Sequence, residues 1–172
     1  MRKIVVTGPE SSGKSTLALE LSGAIHAWYV SEVAREYIDK LHRPYTEPDL
    51  LMIAKEQLEL EDSIEGESGA GGRMVCDTDL ITIRIWSEEK YSRCDPWIKE
   101  QTEQRPYDHW LLCKPDIPWE SDPQRENPHD RDRLFAKYES LLQYLEKPYT
   151  VIHGDREQRT LMAVEACRKV LQ

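Results

Sequence analysis

No run in this sequence approaches the ~20 consecutive apolar residues needed to cross a bilayer, so a membrane role is not expected. The N-terminus passes from Met1-Arg2-Lys3 directly into Ile4-Val5-Val6. That apolar stretch is too short for a secretory leader, and the expected location is the cytoplasm. Cysteine is scarce. Cys76, Cys94, Cys113 and Cys167 include no Cys-x-x-Cys pair and no histidine at zinc-ligand spacing. Reduced, packing thiols are expected, not disulfides or metal ligands. Positive charge is also in short supply, with 23 Lys+Arg against 32 Asp+Glu and a formal charge of -9. No basic stripe with interleaved aromatics stands out, so a nucleic-acid partner is not expected. Any bound phosphate should sit in a small local pocket.

What is present is an ordinary globular composition, 39% hydrophobic and 32% charged, in 172 residues, enough for one domain with a sizeable core. Short apolar strands are expected at Lys3–Thr7, Trp28–Val30, Met74–Cys76, His109–Cys113 and Thr150–Ile152. Helical spacing marks Leu17, Leu21, Ala24 and Ile25 after the first strand. Thr46-Glu47-Pro48-Asp49 reads as a helix start, with Leu51, Ala54 and Leu58 on its core face. Glu56, Glu59, Glu61 and Asp62 mark its solvent side. A stretch with four glycines, 65–73, reads as a surface connection. Leu80, Ile81, Ile83, Ile85 and Trp86 suit a helix, with a strand as the alternative. Leu134, Tyr138, Leu141 and Leu145 form a helical stripe. The last helix opens at Gly154-Asp155, with Leu161, Val164, Cys167 and Leu171 as its core face. Strands alternating with helices predict an α/β fold, a doubly wound five-stranded parallel sheet with helices on both faces. No repeat or second domain is visible. Residues 1–172 are expected to form a single domain, with the polar, proline-rich segment at about 114–133 as a short lid.

Gly8-Pro9-Glu10-Ser11-Ser12-Gly13-Lys14-Ser15-Thr16 matches G-x-x-x-x-G-K-[ST] between a strand and a helix, the context the P-loop mechanism requires. Its glycines let the backbone curl so that successive N–H groups face the phosphates, and the helix N-terminus adds partial positive charge. The expected binding set is Gly8, Glu10, Ser11, Ser12, Gly13, Lys14, Ser15 and Thr16. Lys14 would reach the β- and γ-phosphates of ATP, and Ser15 would bind Mg²⁺.

A GTPase would need Asn-Lys-x-Asp to read guanine. Cys113-Lys114-Pro115-Asp116 has cysteine in place of that asparagine, and Asp77-Thr78-Asp79-Leu80 lacks a switch glycine. A phosphotransferase instead needs an acid for the acceptor, a metal-holding acid and arginines for the moving phosphoryl group. Asp77 ends an apolar strand, where it would hold Mg²⁺ through water or cap a helix. Asp79 would contact a second substrate or cap that helix. Glu32 and Arg35 follow the second strand and would share a helical face, as a proton acceptor and a phosphate partner or as a surface ion pair. Arg125, Arg131 and Arg133 lie in the lid segment. They would close over the transferring phosphate, with Arg125 and Arg131 favoured, or belong to a solvated charged loop.

Gly-x-Glu-Ser-Ser-Gly-Lys-Ser-Thr-Leu at 8–17, Glu-x-x-Arg-Glu-Tyr at 32–37, Asp-Thr-Asp at 77–79 and Pro-Asp-Ile-Pro-Trp at 115–119 occur in this order. With Arg125 and Arg131 ahead of the amphipathic helix, they resemble the ribosylnicotinamide kinase domain of NadR-type bifunctional proteins over nearly the whole chain. The resemblance implies Mg-ATP-dependent phosphorylation of the 5′-hydroxyl of nicotinamide riboside, a small nucleoside acceptor. It implies Glu32, Arg35 and Asp77 as substrate or catalytic residues, a lid over 120–133, and Gly154-Asp155-Arg156 near the adenine. The adenylyltransferase and DNA-binding parts have no counterpart in these residues, so neither activity is expected. The family places aromatics beside the glutamate, where Ser31 and Val33 stand here. Trp86, Trp119 and Tyr37 are the candidates for stacking on the acceptor base, Trp86 first. The alternative class is a P-loop switch whose ATP-bound shape is read by a protein partner.

Overall fold

The fold is taken from a computed structural model describing residues 1–68, 71–121, 124 and 129–171. Five strands form one parallel sheet in the order β2-β3-β1-β4-β5. They are β1 (Arg2–Thr7), β2 (Trp28–Val30), β3 (Arg73–Asp77), β4 (His109–Cys113) and β5 (Tyr149–Ile152). Among the described residues the helices that accompany them are α1 (Lys14–Ala24), α2 (Val33–Lys40), α3 (Glu47–Ser68), α4 (Leu80–Tyr91), α5 (Pro96–Gln104), α6 (Arg131–Tyr144) and α7 (Arg156–Val170). The expected parallel α/β sheet is therefore present. Among the described residues no helix is long and apolar enough to cross a membrane.

The strand pleat explains the two covered faces. Ile4 and Val6 of β1 pack with Leu17, Leu21, Ala163 and Cys167 of α1 and α7. Val5, between them, points the other way and packs with Ile81, Ile85, Leu134 and Tyr138 of α4 and α6. Central β1 is flanked on both sides, with Ile4 opposite Val75 of β3 and His109 of β4. Such strands read as continuous apolar runs because both faces are covered. A third apolar cluster joins α2, α3, α4 and α5 through Ala34, Leu50, Ile53, Leu80 and Ile98.

Several sequence expectations need correction. The glycine-bearing stretch from 65 is not all connection, because α3 continues through Ser68. Glu61 does not face solvent. It is fully buried, and Tyr107 and Arg105, in the segment leading into β4, donate hydrogen bonds to its carboxylate. An acid can occupy that core-facing position because the fold brings it two donors from far along the chain. On α7, Leu161 is 64% exposed while Ala163, Ala166 and Cys167 are buried. The helix turns its small residues to α1, and small residues permit close packing. The sequence reading has no counterpart for α5, although Asp95-Pro96 is a clear start signal there. The Asp95 side chain accepts from the Trp97 N–H at 2.8 Å, and Pro96 opens the first turn.

Candidate active site

The site forms where β1, β3 and β4 end, the crevice at the carboxyl ends of an open parallel sheet. The phosphate loop leaves β1 at Gly8, whose φ of 138° suits glycine. A Cβ there would lie 2.7 Å from the Cys113 carbonyl oxygen of β4. Gly13, with φ 78°, is the N-cap of α1 and makes no side-chain cap hydrogen bond. The first N–H groups of α1 are thereby left for a ligand. The loop is internally tied. Ser12 Oγ donates to the Pro9 carbonyl at 2.7 Å, and Lys14 Nζ donates to the same oxygen at 2.9 Å.

A cleft of about 170 Å³ gathers most of the sequence candidates. The loop residues from Glu10 to Thr16 form one wall, and Glu32, Arg35 and Trp86 form the other. Glu32 is the N-cap residue of α2, and Arg35 follows within the first turn of the helix. Burial pushes the Glu32 carboxyl above its ordinary range. Lys14 and Arg35 oppose that rise, and the charges of Asp77 and Glu10 add to it. Its backbone setting comes from a residue the sequence reading passed over. Buried Gln57 of α3 donates to the Ser31 carbonyl at 3.3 Å and accepts from the Val33 N–H at 3.0 Å. A lone glutamine in a helix carries no sequence signal of that kind.

Asp77, at the end of β3, is 2% exposed. Its Oδ2 accepts from the Tyr29 hydroxyl at 3.3 Å, and its Oδ1 has no hydrogen-bond partner among the described residues. An orphaned buried carboxylate oxygen is what a hydrated cation beside the phosphates would satisfy. No group of three or more metal-ligating side chains exists among the described residues.

A second cleft of about 170 Å³ continues past Glu10, Trp86 and Gln124 toward Tyr45, Lys90 and Tyr138. Tyr45 stacks on Trp86 with ring centroids 6.5 Å apart, and the Lys90 ammonium sits 3.5 Å from the Tyr45 centroid. Of the three aromatic candidates, only Trp86 lines these two clefts. Tyr45 was not singled out by its sequence position.

Other candidates lie elsewhere. Asp79 is buried and accepts from the Trp110 indole N–H at 2.9 Å, and it lines neither cleft. Asp79 occupies the N-cap position of α4, the helix-cap place that its sequence position also allowed. Burial raises its pKa to about 7, with the indole N–H pulling the other way. Arg131, the first residue of α6, donates to the carbonyls of Ser11 and Ile117, both at 3.0 Å, so here it braces the phosphate loop from outside. Arg133 pairs with Glu89 and Asp130. Arg125 lies outside the described residues. Asp155 caps α7 in a reciprocal box with Gln158. A third cleft of about 250 Å³ runs along Gly13, Thr16, Ile117, Arg156 and Arg159; Gly154 and Asp155 adjoin it in sequence but do not line it.

A family model described as an AAA domain matches residues 3–159. The chain belongs to this AAA domain family. The chain is 24% identical over 182 aligned residues to the trifunctional NAD biosynthesis/regulator protein NadR of Escherichia coli (strain K12). That alignment covers 99% of this chain and 43% of NadR, so the chain spans less than half the length of that relative. Among solved structures, NadR protein in complex with NR superposes with a TM-score of 0.84 at 20% identity, over 99% of this chain and 51% of that one. Thymidylate kinase from Ehrlichia chaffeensis superposes with a TM-score of 0.67 at 13% identity, over 99% and 98% of the two chains. These likenesses establish a shared fold.

Proposed function

We propose that this AAA domain is an ATP-dependent kinase of a small nucleoside-like acceptor, most specifically of nicotinamide riboside. The observation that carries the reading is the single cleft in which Lys14 and Ser15 face Glu32, Arg35 and Trp86. A nucleotide switch has no use for a partly buried carboxylate and an aromatic ring across from its phosphate loop. A phosphotransferase needs both, one for the acceptor hydroxyl and one for its base. The NR and NAD relationships of NadR support the choice of acceptor. The cleft chemistry agrees with it, since a pyridinium cation suits the aromatic face of Trp86 with Glu10 beside it.

In this reading the triphosphate lies along Glu10 to Thr16, and Lys14 exchanges its hold on Pro9 for the β- and γ-phosphates. Ser15, with Asp77 through water, would hold Mg²⁺, which neutralises phosphate charge when bound. Glu32 accepts the proton of the acceptor 5′-hydroxyl as its oxygen bonds to the γ-phosphorus, and the bond to the β-phosphate oxygen breaks to release ADP. Arg35 balances the charge on the phosphoryl group. Arg131 and Arg125 close the lid over about 114–133, and Gly154-Asp155-Arg156 flank the adenine. Residues 1–172 act in this account as one P-loop unit in the cytoplasm.

The test is a panel of nucleosides, nicotinamide riboside included, incubated with Mg-ATP and analysed for monophosphate by mass spectrometry. Nicotinamide mononucleotide as the dominant product supports the proposal. Retained ATP binding with no product from any acceptor refutes it and leaves the switch reading.

A further inference from the structure

Beneath the phosphate loop lies an arginine whose guanidinium is almost entirely enclosed. Arg159 of α7 is 4% exposed. Its Nε donates to the Gly154 carbonyl at 2.7 Å, its Nη1 to the Ser12 carbonyl at 2.7 Å, and its Nη2 to the Lys114 carbonyl at 2.7 Å. Nη2 also donates to Asp116 Oδ1 in a close ion pair. The second oxygen of Asp116 accepts from the Gly154 N–H at 2.8 Å. One side chain thus ties together the loops that follow β1, β4 and β5. All three border the crevice at the carboxyl ends of the strands.

The Ser12 contact has a directional consequence. In a trans peptide the C=O and the following N–H point in opposite directions. Drawing the Ser12 carbonyl toward α7 turns the Gly13 N–H away from α7, to the side where Lys14 and Ser15 line the cleft. Gly13 has a φ of 78°, a left-handed conformation that favours glycine. A Cβ there would sit 3.7 Å from Arg159 Nη1 and 3.2 Å from Ile117 Cδ1. The guanidinium also brings a permanent positive charge under the phosphate site. Buried peptide carbonyls alone do not call for an arginine. Burying a full charge costs free energy, which Asp116 and three carbonyls offset here only by holding that geometry.

We propose that Arg159 is a positioning residue for the nucleotide. It aims the Gly13 N–H at the phosphates, and with Asp116 it locks the phosphate loop to the start of the lid segment and to the β5–α7 turn. The proposal rests on the nucleotide-binding part of the function argued above and is independent of which acceptor is used. It also gives a task to the Pro115-Asp116 pair, which the phosphoryl-transfer chemistry does not otherwise use.

The test is ADP binding, measured by calorimetry without any acceptor, on the wild type, Arg159→Gln and Asp116→Asn. Arg159→Gln should weaken ADP at least about tenfold, the loss expected for a charge-assisted contact beneath an anion. Asp116→Asn, at a partly exposed position, should weaken it about threefold to tenfold on the same grounds. A structural role alone would not affect a second readout, the backbone amide resonance of Gly13. At saturating ADP it should move downfield in the wild type and by less than half as much in Arg159→Gln. If Arg159→Gln does not fold, Asp116→Asn decides with the same two measurements. Folded variants with wild-type ADP affinity and a wild-type Gly13 shift would overturn the proposal. A wild type that binds no ADP would overturn both this and the nucleotide reading, whereas ADP binding without nicotinamide riboside turnover would leave it standing.

Discussion

The Tyr29 hydroxyl donates to Asp77 Oδ2 at 3.3 Å, fixing the carboxylate at the end of β3 while Oδ1 faces no hydrogen-bond partner among the described residues. The two residues come from neighbouring parallel strands, β2 and β3, and the contact orients an acid that the proposed reaction uses for Mg²⁺. Tyr29→Phe removes the donor and keeps the ring. The Mg²⁺ concentration for half-maximal activity should rise about threefold to tenfold, with at most about 1 kcal/mol of stability lost. A Mg²⁺ titration of turnover beside a urea unfolding curve checks both.

Glu32 carries the most specific pH prediction. Burial, reinforced by Asp77 and Glu10, raises its pKa. The acid limb of the kcat/KM profile should therefore lie above the ordinary glutamate value of about 4.3. Glu32→Gln should remove that limb and lower kcat by roughly 10²-fold or more, the usual size of a lost proton acceptor. The sign for stability is opposite. A raised carboxyl pKa means that the fold disfavours the ionised form, and the stability present at low pH is lost as pH rises through the folded-state value. Glu32→Gln should therefore melt higher than the wild type at neutral pH and alike near pH of about 4.

Gln57 spans the peptide groups on either side of Glu32. Gln57→Leu keeps the volume and leaves one carbonyl and one N–H without their partner. A loss of about 1–3 kcal/mol in stability is expected, with a fall in kcat larger than the change in ATP affinity. Steady-state kinetics with both substrates varied, beside a denaturant curve, separates the two effects.

Much of this was legible from the chain. The phosphate loop, the strand ends at Asp77 and Cys113 and the parallel sheet follow from local pattern, because a strand covered on both faces shows a continuous apolar run. Glu32 and Arg35 were visible by spacing, and the fold turns them toward Lys14. Gln57, Tyr45 and Arg159 were not visible, because each owes its position to contacts with residues far away in sequence. Glu61 misled for the same reason. A carboxylate among other helix acids reads as exposed until a distant Tyr107 is known to meet it.

Asp79 gives a stability prediction separate from catalysis. With a folded-state pKa of about 7 against about 3.9 unfolded, wild-type stability should decline as pH rises through that interval and then level off. Asp79→Asn should remove much of the decline, worth on the order of 2–4 kcal/mol, while still accepting from the Trp110 indole. Urea midpoints at several pH values for both proteins measure it.

The central claim is that the phosphate held at Lys14 leaves for an acceptor oriented by Glu32. ADP release from Mg-ATP, followed with and without nicotinamide riboside, tests that most directly. The account predicts ADP formation at least about a hundredfold faster with the acceptor, since a positioned hydroxyl replaces adventitious water. Nicotinamide mononucleotide should appear in equal amount, and Glu32→Gln should lose the acceleration. The same slow ADP release with or without the acceptor would contradict it.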